Sequence, residues 1–191
     1  MIAGTINLST CNCYLLKADN GYVLIDTGCD WEWDAFCSEL QNAGVDLADL
    51  HHLILTHHHN DHAGLLNQVV VQNPGIVVVM SANAKDLLAK GRNDLPKGGG
   101  YLNQNVDTLM ARLGTSDAIR TQTFPPYVTR GDDILVSRDA SLRELGIGLD
   151  GRIIETPGHS TDSIWVYSKL VRTVRRLVSA AALSGVRRAS A

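Results

Sequence analysis

The most informative chemistry in this sequence lies in a short run of histidine and aspartate residues. Four side chains that can bind a metal lie within six positions: His57, His59, Asp61 and His62. In an extended loop His57 and His59 point the same way, because side chains alternate along the chain. Imidazole and carboxylate groups are the ligands of catalytic zinc sites. The spacing therefore favours a metal site over a solvated polar loop.

The elements on either side of this run are expected to hold it in place. Residues 52–55 predict a short buried strand that leads into the run, and residues 63–71 predict a helix that follows it. The four side chains would then lie on a loop, and on the turn into a helix, at the end of a strand. Proteins of the α/β class commonly place their sites there.

Before the run, the sequence predicts a hairpin and a helix. Residues 14–17 and 22–25 predict two strands, and Asp19-Asn20-Gly21 predicts the turn between them. A helix is predicted with Asp30 as its N-cap and Gly44 just beyond its end. The apolar face of this helix comprises Trp33, Phe36, Cys37 and Leu40.

After the run, a strand over 76–80 and a helix over 82–90 that ends at Gly91 extend the α/β pattern. The less regular stretch 91–130, with one helix near 106–113, is typical of a lid or binding loop. Further strands are predicted at 133–136, 142–149, 152–156 and 163–167. Asp150-Gly151 predicts a hairpin turn, and Pro157-Gly158 leaves His159 on a loop after a strand.

Three segments together resemble the metallo-β-lactamase superfamily. The run His57-x-His59-x-Asp61-His62 resembles its H-x-H-x-D-H signature. Leu24-Ile25-Asp26-Thr27-Gly28 is similar to the early strand and loop of that family. Glu155-Thr156-Pro157-Gly158-His159-Ser160 is similar to the segment that carries its third metal-binding histidine. The resemblance covers residues 5–168 and implies an α/β fold, the αββα sandwich, with its C-terminal half incomplete.

The resemblance also implies two metal positions. The first zinc ion would be bound by His57, His59 and His159, and the second would receive ligands from Asp61 and His62. Asp26 would hydrogen-bond to metal ligands from behind and orient them. It could equally cap the loop at Thr27-Gly28, and the two roles are compatible.

These ligands imply hydrolysis by a metal-bound hydroxide. Zinc lowers the pKa of a bound water from about 15.7 to about 7. The hydroxide would attack a carbonyl or phosphoryl centre, while Asp61 orients it and moves its proton. We expect a zinc-dependent hydrolase of a small ester, thioester or lactone. The alternatives are a non-catalytic or impaired zinc-binding member of the same fold and a metal-dependent nuclease.

The end of the chain departs from the family pattern. Family members with two metals carry a bridging Asp and a final His after the third metal-binding histidine, but here no Asp, Glu, His or Cys follows Asp162. We therefore expect one tightly held zinc and a weak second one. Residues 1–168 form the predicted domain, and the tail 169–191 holds six basic residues and no acidic one. The tail is either a basic amphipathic helix over 170–184 or, as its composition favours, a truncated or out-of-frame end.

Other residues with chemical potential receive ordinary interpretations. His58 is interpreted as a loop residue facing away from the metal, and His51 and His52 as surface or strand-end residues. Arg92 and Tyr101 are candidates for substrate contact, although a surface position suits both. The cysteines are interpreted as free thiols: Cys11, Cys13, Cys29 and Cys37.

The composition is typical of a globular protein. Hydrophobic residues make up 45% and charged residues 19% of the chain, which excludes a disordered polymer. The first twelve residues lack the pattern of a signal peptide, and no apolar run reaches the roughly 18 residues of a membrane span. We expect a cytoplasmic protein with a small-molecule substrate. Nucleic acid is not expected as its partner.

Overall fold

The computed structural model describes residues 2–93 and 123–168. Tyr101, the predicted helix at 106–113 and the tail 169–191 lie outside these residues. The described part of the chain contains a six-stranded sheet and a three-stranded sheet.

The large sheet is mixed, and its strands follow chain order. They are β1 (Ile2–Asn7), β2 (Asn12–Lys17), β3 (Tyr22–Ile25), β4 (Leu50–Ile54), β5 (Val77–Ser81) and β6 (Ile134–Val136). Strands β1 to β3 pair antiparallel, which confirms the predicted β2–β3 hairpin. Gly21 lies in the turn of this hairpin with a φ of 81°. Strands β3 to β6 pair parallel, so their carboxyl ends meet at one edge of the sheet.

Four helices connect these strands within the described residues. They are α1 (Trp33–Asn42), α2 (Asn60–Ala63), α3 (Leu66–Gln72) and α4 (Ala84–Lys90). Gly44 and Gly91 adopt positive φ beyond α1 and α4, as predicted for helix ends. The predicted N-cap at Asp30 is wrong. Asp30 begins a 3₁₀ turn, Asp30–Glu32, because the carboxylate of Glu32 turns back to accept the Cys29 N–H at 2.9 Å.

The predicted helix over 63–71 is present but interrupted, because the chain forms α2 and α3 with a break between them. The Leu65 N–H leaves the helical pattern and donates to the carbonyl of Gly28, 3.2 Å away. Gly64 permits this contact, since a Cβ there would lie 2.5 Å from the backbone nitrogen of Asp30. Helix α2 starts at Asn60, so Asp61 lies within a helix rather than before one.

The small sheet consists of β7 (Ala140–Ser141), β8 (Gly151–Glu155) and β9 (Ile164–Ser168), all antiparallel. The predicted strand over 142–149 is wrong. Those residues form turns, with Gly146 and Gly148 at φ of 77° and 73°. The predicted two-residue hairpin at Asp150-Gly151 is therefore wrong too, since residues 142–150 together connect β7 to β8.

Two apolar clusters hold the layers together on opposite faces of the large sheet. One packs helix residues such as Phe36, Val69 and Leu88 against Leu24 and Leu53. The other joins the two sheets through residues that include Val23, Ile25, Ile54 and Val79 of the large sheet and Ile153 and Ile164 of the small one. The described layers are thus helices, large sheet and small sheet, which confirms the predicted α/β sandwich. No helix among the described residues is long and apolar enough to span a membrane.

Candidate metal centre

Three histidine rings converge where the two sheets meet. His57 and His59 follow the carboxyl end of β4, and His159 comes from the loop between β8 and β9. The ring centroids of His57 and His59 are 4.6 Å apart, and those of His59 and His159 are 4.8 Å apart. One potential ligand atom from each ring lies within 4.8 Å of the others. These three imidazoles could therefore hold a metal ion.

The pattern of hydrogen bonds around the three rings is consistent with metal binding. Nε2 of His57 and Nε2 of His59 are buried and have no hydrogen-bond partner among the described residues. Buried polar atoms are nearly always paired, so such atoms need an explanation. Nδ1 of His59 and Nε2 of His159 lie 3.1 Å apart. Two ligands of one tetrahedral zinc ion would lie about 3.3 Å apart, given bonds of about 2.0 Å.

The electrostatic environment keeps these rings neutral, which a metal ligand requires. Burial, reinforced by neighbouring histidines, holds the pKa of His57 well below its usual value. Burial and the nearby His58 and His159 lower the pKa of His59 to about 4. Burial also lowers the pKa of His159.

A second potential group consists of His57, Asp61 and His62, whose ligand atoms also lie within 4.8 Å of one another. Nε2 of His62 lies 3.4 Å from Oδ2 of Asp61. Burial alone would lower the pKa of His62, but the charges and hydrogen bonds of Asp26 and Asp61 hold it well above its usual value. A proton thus competes with a metal for this group. The two groups share His57, so they are adjacent.

Asp26 lies directly behind both groups. Its carboxylate accepts hydrogen bonds from the Thr56 N–H, the Thr56 hydroxyl and Nδ1 of His62, each at 2.8 Å. Among the described residues, the carboxylate contacts Thr56 and His62 rather than the N–H groups of Thr27 or Gly28. The geometry therefore favours the predicted contact with the potential ligand His62 over the loop-capping alternative.

His58 and Asp162 form a buried pair that the sequence did not suggest. Oδ2 of Asp162 accepts the His58 N–H at 2.8 Å, and Oδ1 lies 2.9 Å from the ring nitrogen Nδ1. His58 belongs to neither ligand group, as expected. It lies in the loop that follows β4, as predicted, and it is 1% exposed. The sequence gives one weak indication that Asp162 lies near the site, since it follows His159 by three residues.

The remaining sequence candidates lie away from the two groups. His51 and His52 lie in β4, exposed and half-buried, which confirms their interpretation. Arg92 is exposed and forms an isolated bridge with Thr123. All four cysteines are free thiols, as predicted.

Comparison with known proteins identifies the family. The chain matches the metallo-beta-lactamase superfamily over residues 6–174. It is 31% identical over 144 residues to an anaerobic nitric oxide reductase flavorubredoxin of Klebsiella pneumoniae, a match that covers 71% of this chain and 29% of that protein. A flavorubredoxin homolog of Escherichia coli O157:H7 gives the same identity and covers 34% of that protein. This chain belongs to the metallo-beta-lactamase superfamily.

Solved structures agree on the fold. The subclass B3 metallo-beta-lactamase BJP-1 of Bradyrhizobium japonicum superposes with a TM-score of 0.59 at 22% identity, over 84% of this chain and 51% of that chain. A Cronobacter sakazakii metallo-beta-lactamase gives a TM-score of 0.59 at 21% identity, over 84% and 52%. At this identity the likeness shows the fold alone. The chain spans about half the length of these enzymes and less of the flavorubredoxins.

Proposed function

We propose that this protein is a zinc-dependent hydrolase that acts on a small ester, thioester or lactone. The observation that carries the proposal is the convergence of three neutral imidazoles, among which His57 has a buried Nε2 without a partner in the described residues. His57, His59 and His159 would hold the ion. When bound, zinc supplies a Lewis acid and an activated water.

Asp61 and Asp26 would supply the remaining catalytic and positioning functions. The side chain of Asp61 is 41% exposed, so solvent reaches its carboxylate. Burial alone would raise the pKa of Asp61, but its hydrogen bond with His62 and the charge of that ring lower it. Asp61 is therefore ionised at neutral pH and can accept a hydrogen bond from the attacking water and hold its proton at a carboxylate oxygen. Asp26 orients His62.

Metal analysis paired with a substrate panel tests this proposal. The purified protein is expected to contain zinc and to hydrolyse at least one ester, thioester or lactone. His57→Ala and His159→Ala are expected to lose both properties, because each removes one of the three ligands. His51→Ala is the matched control, since that ring is exposed and lies outside both groups. Zinc content without turnover on the panel would favour a non-catalytic zinc-binding protein.

The likeness to the flavorubredoxins supports a second candidate, a redox-active metal centre. His57, Asp61 and His62 provide two imidazoles and one carboxylate, a ligand set that also suits non-haem iron. Iron in the purified protein, together with consumption of nitric oxide by the reduced protein and no hydrolysis, would favour this candidate over the hydrolase.

A further inference from the structure

The hydroxyl group of Thr56 lies between a carboxylate and a metal-binding ring. Its Oγ1 is 2.8 Å from Oδ2 of Asp26 and 3.1 Å from Nδ1 of His57. Thr56 belongs to neither potential ligand group. Its side chain nevertheless contacts the back of His57, the one residue that the two groups share.

The direction of these two hydrogen bonds follows from the number of available hydrogens. A threonine hydroxyl has one hydrogen, and an ionised carboxylate can only accept. The hydroxyl hydrogen of Thr56 is therefore committed to Asp26. The hydroxyl oxygen is left to accept, so the hydrogen in the second bond must come from Nδ1 of His57.

This arrangement decides which nitrogen of His57 can bind a metal. A neutral imidazole carries one ring hydrogen, so a hydrogen on Nδ1 leaves the lone pair on Nε2. Nε2 is the buried atom that lacks a partner among the described residues, and it belongs to the ring that approaches both His59 and His159. We infer that Thr56 is a positioning residue that fixes His57 in its Nδ1–H tautomer and so directs Nε2 toward the metal.

The role of the side chain can be separated from that of the backbone. The Thr56 N–H donates to Oδ1 of Asp26 at 2.8 Å, and its carbonyl accepts the Ile164 N–H at 2.9 Å. Neither bond needs the hydroxyl. Valine has the shape of threonine without the hydroxyl, whereas serine keeps the hydroxyl without the methyl group. Thr56→Val and Thr56→Ser therefore form a matched pair.

Long-range ¹H–¹⁵N NMR of the histidine rings in metal-free protein tests the inference directly. The wild-type protein and Thr56→Ser are expected to show His57 as the Nδ1–H tautomer, and Thr56→Val is expected to lose this preference. The ring signals of His58, whose partner is Asp162, serve as an internal control for the fold. An Nε2–H tautomer in the wild-type protein would overturn the inference even if the valine variant did not fold.

Zinc affinity, measured by competition with a chromophoric chelator, is the second readout. Loss of a group that orients a ligand typically weakens metal binding about 10- to 100-fold. We expect that loss for Thr56→Val and near-wild-type affinity for Thr56→Ser. A valine variant that keeps the Nδ1–H tautomer, or that binds zinc as tightly as the wild type, would overturn the inference. The inference rests on the proposed function only in taking His57 as a ligand. If the wild-type chain bound no zinc, the proposed function would fail, while the metal-free spectra would still decide the tautomer.

Discussion

At the scale of single residues, the backbone of Asp26 is unusual. Its φ of 59° lies in the left-handed region, which residues other than glycine rarely adopt, although Asp and Asn are enriched there. This conformation lets one carboxylate reach both Thr56 and His62. Three donors of Thr56 and His62 converge on it, so hydrogen bonds offset the cost of the backbone conformation.

The acidity of His59 leads to a prediction about pH. Its pKa of about 4 lies below the ordinary 6.5, so between these values the unfolded chain binds more protons than the folded one. The contribution of His59 to the free energy of unfolding of the metal-free protein is therefore expected to be complete above pH 6.5 and to be lost as the pH drops toward 4. The lowered pKa corresponds to roughly 3 kcal/mol of this free energy. His62, whose pKa is raised, affects stability only above pH 6.5.

Urea unfolding between pH 7 and pH 5, with a chelator present, measures this effect. His57 and His159 act in the same direction as His59, because burial lowers their pKa values too. His59→Gln removes one titrating group and is expected to show a shallower dependence on pH. Equal stability of the wild-type protein at pH 7 and pH 5 would contradict the prediction.

At the scale of elements, the His58–Asp162 pair connects two loops that lie 104 residues apart in the chain. One loop follows β4 and carries His57 and His59, and the other precedes β9 and carries His159. The Ile164 N–H also donates to the carbonyl of Thr56 at 2.9 Å, which ties the same two loops. The three potential ligands are thus held near one another by protein contacts.

Asp162→Ala is expected to lower the free energy of unfolding by about 2–3 kcal/mol, because it removes the buried carboxylate that accepts hydrogen bonds from the ring and the N–H of His58. Asp86→Ala removes the same charge from the exposed surface of α4 and is expected to stay within about 0.5 kcal/mol of wild type. Chemical denaturation of the three proteins provides the measurement. Equal stability of the two variants would rule out this role for Asp162.

Local sequence signals predicted elements well where local forces decide them. The β2–β3 hairpin follows from alternation and a turn with glycine at Gly21, and α4 ends at Gly91 as its sequence predicts. The break between α2 and α3 was not predictable in the same way. It depends on Leu65 bonding to Gly28, a residue 37 positions earlier that only the tertiary fold brings close.

The same distinction applies to the site. The spacing of His57, His59, Asp61 and His62 suffices to predict a metal site, and the family resemblance adds His159 and Asp26. The sequence did not indicate roles for Thr56 and Asp162, because neither occupies a metal-ligand position of the family motifs. Their importance lies in hydrogen bonds that become visible only when β4 and the β8–β9 loop are placed side by side.

At the scale of the whole molecule, a metal would link the two sheets. His57 and His59 follow a strand of the large sheet, and His159 follows a strand of the small sheet. Zinc is therefore expected to stabilise the fold by about 4 kcal/mol when free zinc exceeds its dissociation constant 1,000-fold. Thermal unfolding with and without zinc is expected to show a higher Tm for the loaded protein.

His159→Ala is expected to abolish most of this rise in Tm, since it removes the ligand from the small sheet. His51→Ala is expected to keep it. A wild-type Tm that zinc leaves unchanged would contradict a link between the sheets.

The separation of the ligands along the chain also has a consequence for biosynthesis. His59 and His159 lie 100 residues apart, so a growing polypeptide emerges from the ribosome with two of the rings long before the third. Contacts between such distant residues form late in folding. Capture of an ion by all three rings would therefore mark a chain whose second sheet has already docked. Metal occupancy in freshly made protein would then report how many molecules have finished folding.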